Sequence, residues 1–185
     1  MTTDNTSLSQ ELLILVDPED TIIGYEKKEK CHQGEGLLHR AFSIFIFNER
    51  KQLLIQTRSS EKALWPLHWS NSVCSHPCIG ESYEEACMRR LKEELGFETR
   101  VQLLFKFQYQ VQFKNIGSEN ELCAVYIGRT NGIVRANQNE IADWKYIDPE
   151  KLNKDLKAQP DSYTPWFKME WYRIQTHHRT EIDDL

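Results

Sequence analysis

The sequence predicts a mixed α/β fold in a single compact domain, and three observations support this prediction. Several short β-prone segments follow one another, one well-delimited helix lies between them, and two further helices begin at prolines near the C-terminal end. A chain of 185 residues is long enough for one domain with a proper core. We expect residues 11–185 to form this domain, and residues 1–10, which are polar, to form a flexible N-terminal segment.

The first half of the chain predicts paired strands around a loop. Residues 11–16 and 21–25 flank a turn at 17–20 that contains proline and aspartates, which is typical of a hairpin. Residues 26–40 are predicted to be a loop. Residues 41–47 form a β-prone run, and residues 52–57 are predicted to be its return strand after a polar turn.

A helix is predicted over residues 83–95. Ser82 and Glu85 have the spacing of a capping box, and Gly96 can take the left-handed closing position. The helical period places Arg90 and Glu94 beside the apolar stripe, one turn apart, where they can face a cleft. The alternative is a solvated helix face with an ordinary ion pair.

The second half predicts three more strands and two helices. The strands are residues 101–113, 122–127 and 141–147. One helix begins at Pro149, and the last begins at Pro165 and runs to about residue 178.

Composition excludes some classes of function. The net charge of −5 argues against a general binder of nucleic acid or anionic membranes. No apolar run approaches the ~20 residues that span a bilayer, and we expect a cytoplasmic protein. Five cysteines are an odd number without the density of a disulfide scaffold, so most are expected to be reduced and buried.

Two residue pairs with a spacing of two could present their side chains together. Glu119 and Glu121 would face the same way on an extended chain, and so would Cys74 and His76. A cation between the two carboxylates would relieve their repulsion, but an acidic, solvent-facing strand end is an equally good interpretation.

The segment around the predicted helix resembles the Nudix box, a loop-helix-loop that holds divalent cations against a diphosphate. The resemblance rests on Arg89-Arg-Leu-Lys-Glu-Glu-Leu-Gly-Phe97 with Glu81 upstream, within residues 75–97. Ser75 stands where the box has its opening glycine, and Arg90 stands at the first glutamate of the Arg-Glu-x-x-Glu-Glu core. Because a hydrolase needs that carboxylate, the departure argues against ordinary pyrophosphate hydrolysis.

With Asn71-Ser-Val-Cys-Ser-His-Pro77 ahead of it, the segment is similar to type I isopentenyl-diphosphate Delta-isomerases of the Nudix superfamily. The resemblance extends from about residue 24 to residue 166. It implies a mixed β-sheet sandwiched between helices. It also implies the interconversion of isopentenyl and dimethylallyl diphosphate through a tertiary carbocation, in isoprenoid biosynthesis.

The resemblance implies a role for each matching residue. Catalysis requires two acid/base groups on opposite faces of the substrate, and the matching residues are Cys74 and Glu121, with Tyr109 coupled to Glu121 and Trp166 facing the cation. The residues matching the diphosphate contacts are Lys28, Arg58, Lys62 and Arg90. Packing aromatics are the alternative for Tyr109 and Trp166.

The resemblance also implies two metal sites. Three imidazoles and two carboxylates suit a six-coordinate Mn²⁺ or Zn²⁺, and the matching residues are His32, His39, His76, Glu119 and Glu121. Glu94 and the main-chain carbonyl of Cys74 match the ligands of a Mg²⁺ that also binds the diphosphate. Histidines in a loop are, on their own, more often ordinary surface residues.

Two other functions stay open from the sequence. A Nudix hydrolase would cleave diphosphates, and a non-catalytic module would only bind a phosphorylated ligand. For the favoured interpretation we expect a small prenyl diphosphate as the ligand, no nucleic acid or membrane partner, and a monomer or weak homodimer.

Overall fold

The computed structural model describes residues 12–185, so the predicted flexible segment at 1–10 lies outside the described residues. The strands are β1 Leu12–Val16, β2 Ile22–Lys27, β3 His39–Phe47, β4 Leu53–Arg58, β5 Trp69–Ser70, β6 Val73–Ser75, β7 Val101–Phe113, β8 Gly117–Arg129 and β9 Ile141–Ile147. The helices are α1 Lys28–Cys31, α2 Tyr83–Leu95, α3 Pro149–Ala158, α4 Pro165–His177 and α5 Arg179–Asp183, with a 3-10 turn at Pro160–Ser162.

Strand β3 lies at the centre of one mixed sheet. It pairs in parallel with β8 along its whole length and antiparallel with β6 on its other side. Strand β7 extends the sheet beyond β8, β9 pairs with β4, and the β1–β2 hairpin pairs with β3 through β1. The predicted N-terminal hairpin is therefore confirmed.

Both faces of the sheet are covered by helices. Alternate residues of β3 point to opposite faces, so Phe45 packs with Trp171 of α4 while Ile44 packs in the cluster that contains Leu91 of α2. Helices α3 and α5 contribute to the same core as α4. The predicted mixed sheet between helices is confirmed. Within residues 12–185, no helix is long and apolar enough to cross a membrane.

Strand β4 is not a simple return strand of β3, which corrects the sequence prediction. The two strands pair only at Phe47 and Leu53 and then separate. Ser72 fills the opening, because its hydroxyl accepts a hydrogen bond from the Ile46 amide and donates one to the Leu54 carbonyl. These bonds satisfy backbone groups that diverging strands would leave buried and unpaired. The opening admits β5 and β6, which carry Cys74 into the sheet.

The helical predictions hold with two corrections. Helix α2 covers the predicted residues, with the capping box of Ser82 and Glu85 and a left-handed Gly96. The predicted loop at 26–40 contains helix α1, which begins at Lys28 and is followed directly by His32, one turn along the chain. The last predicted helix ends at His177, and α5 follows it.

Candidate active site

A cavity of about 470 Å³ opens beside β3, on the sheet face that packs against α4. Eleven of the thirteen residues predicted for the site line it: Lys28, His32, Arg58, Lys62, Cys74, His76, Arg90, Tyr109, Glu119, Glu121 and Trp166. The other two, His39 and Glu94, lie behind this lining, against His76 and Arg90 respectively.

Cys74 and Glu121 reach the cavity from strands on opposite sides of β3. Cys74 on β6 is paired with Ser43, and Glu121 on β8 is paired with His39. Directly paired residues project to the same face of a sheet, and positions 39 and 43 of β3 share one face because they are an even number apart. The thiol and the carboxylate therefore approach one cavity from two sides.

Three histidines and two glutamates converge at one end of the cavity. The ligand atoms of His32, His39, His76, Glu119 and Glu121 all lie within 4.8 Å of one another. Nδ1 of His32 lies 2.6 Å from the Lys28 carbonyl, and Nδ1 of His39 lies 2.7 Å from the Leu37 carbonyl. Since a carbonyl only accepts, the neutral form of either ring carries its hydrogen on Nδ1 and turns the lone pair of Nε2 toward the cluster.

These facing lone pairs fit a divalent metal ion. Among residues 12–185, Oε2 of Glu119 is buried without a hydrogen-bond partner, although it lies 2.7 Å from Nε2 of His32. Nε2 of His39 likewise lies 3.3 Å from Nε2 of His76. Burial lowers the pKa of His76 to about 3, which keeps it in the neutral form that binds metals. A nitrogen and oxygen donor set of this kind suits Mn²⁺ or Zn²⁺.

The thiol of Cys74 is held beside a guanidinium group. Burial raises the pKa of Cys74 to about 11, and the charge of Arg58 opposes this rise only in part. Nη1 of Arg58 lies 3.6 Å from the sulfur, while its Nε and Nη2 donate to the Leu64 carbonyl. Cys74 therefore carries its proton at neutral pH.

Aromatic rings form one wall of the cavity. The hydroxyl of Tyr109 donates to Oε2 of Glu121 at 2.5 Å, and burial, followed by the charge of Glu121, raises the pKa of Tyr109 so that it stays protonated. The ring of Tyr109 stacks on Trp166 with centroids 6.3 Å apart, and Trp65 meets Trp166 edge to face. Trp166 is only 2% exposed, so little of its ring contacts bulk solvent.

Basic side chains also line the cavity, namely those of Lys28, Arg58, Lys62 and Arg90. Burial lowers the pKa of Lys28, and the neighbouring positive charge of Lys62 contributes to the same shift. Four cations in one cavity of an acidic protein form a local site for an anion.

A family model described as the NUDIX domain matches residues 37–167. The chain is 39% identical to "Isopentenyl-diphosphate Delta-isomerase 1" of Photorhabdus laumondii, over 91% of this chain and 97% of that protein. It is 40% identical to "Isopentenyl-diphosphate Delta-isomerase" of Serratia proteamaculans, over 85% and 87% of the two chains. The chain belongs to the isopentenyl-diphosphate Delta-isomerase family of Nudix-domain proteins.

Solved structures agree with this fold. DR0079 from Deinococcus radiodurans superposes with a TM-score of 0.65 at 27% identity, covering 80% of this chain and 90% of that one. The MutT protein from Methanosarcina mazei superposes with a TM-score of 0.62 over 75% and 93% of the two chains. At 17% identity this second likeness concerns the fold alone.

The structure shows the contacts of Arg90, which stands where the Nudix box has a glutamate. Arg90, in place of a glutamate, lies among three carboxylates: Nε and Nη2 donate to Glu94, Nη1 donates to Glu93, and Nη2 lies 3.0 Å from Glu140. This member of the isopentenyl-diphosphate Delta-isomerase family thus has an ion-pair centre where a Nudix hydrolase has a carboxylate ligand.

Sequence reasoning missed Glu140, which lines the cavity. It forms ion pairs with Lys62 and Arg90. Burial works to raise the pKa of Glu140, but those two charges outweigh it and hold the pKa at about 2. The only signal in the sequence is an acidic residue directly before a β-prone run, which no motif distinguishes from a surface charge.

Proposed function

We propose that this protein is an isopentenyl-diphosphate Delta-isomerase, which interconverts isopentenyl and dimethylallyl diphosphate. The observation that carries the proposal is the placement of Cys74 and Glu121 on either side of β3, facing one cavity. Moving a double bond requires adding a proton at one carbon and removing a proton from another, so two acid/base groups must flank the substrate. The predicted cytoplasmic location and the monomer or weak homodimer stay predictions.

The substrate would lie with its diphosphate among Lys28, Arg58, Lys62 and Arg90, and its hydrocarbon end between Cys74 and Glu121. Arginine donates two parallel hydrogen bonds to phosphate oxygens, which fixes the orientation of the anion. Between the two proton transfers the substrate carries a tertiary cation. Trp166 offers it an indole face, worth about 0.5–2 kcal/mol or more in a dry site, and the aromatic wall excludes the water that would trap it.

The resting protonation states of Cys74 and Tyr109 follow from their raised pKa values. Cys74 rests as a thiol because its pKa is raised, and Tyr109 rests as a hydrogen-bond donor to Glu121. One member of the Cys74–Glu121 pair gives a proton to the terminal carbon of the alkene, and the other accepts the proton that the cation loses from the neighbouring CH₂ group. One proton is gained and another is lost, so the product has the same composition and charge as the substrate, and exchange with water returns the two enzyme groups to their resting states.

Two metal ions belong to the proposal. His32, His39, His76, Glu119 and Glu121 would hold Mn²⁺ or Zn²⁺, and Glu94 with the carbonyl of Cys74 would hold Mg²⁺. When bound, such ions supply positive charge that orders the carboxylates and neutralises a diphosphate. Tyr109 and His76 both contact Glu121 and would fix its direction toward the cavity.

Isomerisation in heavy water tests the function. Purified protein with Mg²⁺ and Mn²⁺ should convert isopentenyl diphosphate and place deuterium in the methyl groups of the product, which hydrolysis cannot do. Cys74→Ala should lower the rate by at least about 100-fold, whereas Cys78→Ser should leave it near the parent rate. Release of phosphate without deuterium incorporation would instead support a Nudix hydrolase, and neither product would support a binding module.

A further inference from the structure

Glu140 is a fixed negative charge inside the predicted diphosphate site. Its carboxylate pairs with Lys62 and Arg90, two of the four cations that would bind the diphosphate. The side chain is 22% exposed, so solvent screens these pairs only in part. Any anion that reaches Lys62 and Arg90 must share them with Glu140.

Main-chain hydrogen bonds fix the position of the backbone at Glu140. The Glu140 carbonyl accepts a hydrogen bond from the Ser59 amide at the end of β4. Three residues earlier, the Asn137 amide donates to the Glu94 carbonyl in the last turn of α2. The backbone of residue 140 is therefore tied to the two elements that carry Arg58 and Arg90, which keeps its carboxylate within reach of Lys62 and Arg90.

Arg90 shows how strongly the carboxylates compete for these cations. Each of its three guanidinium nitrogens contacts a carboxylate, from Glu93, Glu94 or Glu140. A bare diphosphate would therefore approach Arg90 against the repulsion of Glu94 and Glu140. A diphosphate that carries Mg²⁺ has less negative charge, so it would meet less of this repulsion.

We infer that Glu140 makes diphosphate binding conditional on Mg²⁺, by competing with the metal-free anion for Lys62 and Arg90. The inference rests on the proposed function, because it assumes that these cations bind a diphosphate. Glu140 is a positioning residue in this scheme and does not touch the reacting carbons. By thermodynamic linkage, Mg²⁺ and diphosphate raise each other's affinity by the same factor, and Glu140 sets part of that factor.

Titration calorimetry with inorganic pyrophosphate tests this without any turnover. Mg²⁺ should be removed from the buffer with a chelating resin. A soluble chelator would also remove a metal ion bound by the five-residue cluster of histidines and glutamates. The titration should then be repeated with excess Mg²⁺. We expect Glu140→Gln to bind metal-free pyrophosphate about tenfold more tightly than the parent, because a competing charge is gone. With excess Mg²⁺ the affinities of the two proteins for pyrophosphate should differ by less than about threefold. The factor by which Mg²⁺ raises pyrophosphate affinity is therefore smaller in Glu140→Gln than in the parent.

Two further variants separate charge from structure. Glu140→Asp keeps the negative charge and should keep the coupling factor of the parent. Glu98→Gln removes an exposed charge that pairs with Lys92 outside the cavity, and it should match the parent in both titrations. If Glu140→Gln and Glu140→Asp weaken binding equally under both conditions, Glu140 only supports the site and the inference is wrong.

The inference would also be wrong if Glu140→Gln bound metal-free pyrophosphate with the same affinity as the parent, or more weakly, while Glu140→Asp behaved like the parent.

Failure of the proposed function gives a different result. A parent protein that does not bind pyrophosphate even with Mg²⁺ has no diphosphate site, and the inference about Glu140 falls with it. A parent that binds pyrophosphate with Mg²⁺ but does not isomerise contradicts the function and leaves the coupling measurement valid.

Discussion

Nη1 of Arg58 lies 3.6 Å from Sγ of Cys74, and the same guanidinium lies over the Trp166 ring, 5.2 Å from its centroid. One cation therefore faces both the thiol and the aromatic wall of the cavity. Its other nitrogens are held by the carbonyls of Leu64 and Trp65, so its position is set by the backbone. This relationship links one of the predicted diphosphate ligands to the thiol of Cys74.

Removing the charge at position 58 should make the thiol of Cys74 less acidic. Burial already raises the pKa of Cys74 to about 11, and Arg58 opposes that rise. In Arg58→Met the pKa should rise further, so alkylation of Cys74 by iodoacetamide should slow at a given pH and its pH profile should move to higher pH. Mass spectrometry of the Cys74 peptide measures this rate.

Cys78 provides an internal control in the same samples. It lines the same cavity, but the charge that lowers its pKa is that of Arg89. Its alkylation rate should be the same in the parent and in Arg58→Met. Equal slowing at both cysteines would mean that the substitution closes the cavity rather than shifting the pKa of one thiol.

Metal content should depend on His76 but not on His68. Nε2 of His76 lies in the five-residue cluster, 3.2 Å from Glu121, whereas Nδ1 of His68 lies 2.8 Å from the Pro66 carbonyl outside that cluster. Loss of one ligand should weaken metal affinity by at least about 10–100-fold, as loss of an outer-shell partner already does. Elemental analysis after dialysis should find bound Mn²⁺ or Zn²⁺ in the parent and in His68→Ala, and little in His76→Ala.

The Tyr109 hydroxyl should matter for activity more than for folding. Its hydrogen bond to Glu121 is charge-assisted, and such bonds contribute about 1.5–3 kcal/mol, or roughly 10–150-fold in rate if the bond acts in the transition state. Tyr109→Phe keeps the ring that stacks on Phe107 and Trp166. We expect kcat to fall by up to about that factor, while the melting temperature falls by about 2–4 °C for each kcal/mol that the bond contributes to folding, which leaves the variant folded in the assay.

Tyr163→Phe is the matched control for this experiment. Tyr163 is also a buried tyrosine, 4% exposed, but it stacks on Phe167 in the core and does not line the cavity. It should keep the parent rate of conversion. A Tyr109→Phe enzyme as fast as the parent would show that the ring, and not the hydroxyl, is what the site requires.

Local signals were sufficient for much of the fold. The capping box at Ser82 and the closing glycine at 96 act within a few residues, so the helix bounds could be read directly from the sequence. Alternation along 101–113 marked β7 for the same reason. The site residues could be gathered before the structure was known only because the spaced motifs resemble a known family.

Long-range effects could not be predicted in this way. The separation of β3 from β4 depends on Ser72, which is distant in sequence from both Ile46 and Leu54 and bonds to each of them. Nothing in the local pattern of residues 41–57 indicates that the strands part after one pair. The role of Glu140 was missed for the same reason, since Lys62 and Arg90 are 78 and 50 positions away from it.

Glu170 should make folding stability depend on pH. This glutamate of α4 is fully buried, 3.4 Å from Sγ of Cys123, and its Oε2 has no hydrogen-bond partner within residues 12–185. Burial raises its pKa from 4.5 to about 8. Between these values the unfolded chain releases a proton that the folded protein keeps, so the free energy of unfolding falls as pH rises from 4.5 toward 8 and then levels off.

Glu170→Gln should remove this dependence, because its neutral amide does not titrate. The difference in unfolding free energy between Glu170→Gln and the parent should therefore grow in favour of the variant, by on the order of a few kcal/mol between pH 5 and pH 8. Urea unfolding at each pH measures it, and Glu150→Gln, which changes an exposed glutamate of α3, should follow the parent curve. Parallel curves for the parent and Glu170→Gln would mean that Glu170 titrates normally, and hence that water reaches this carboxyl in the folded protein.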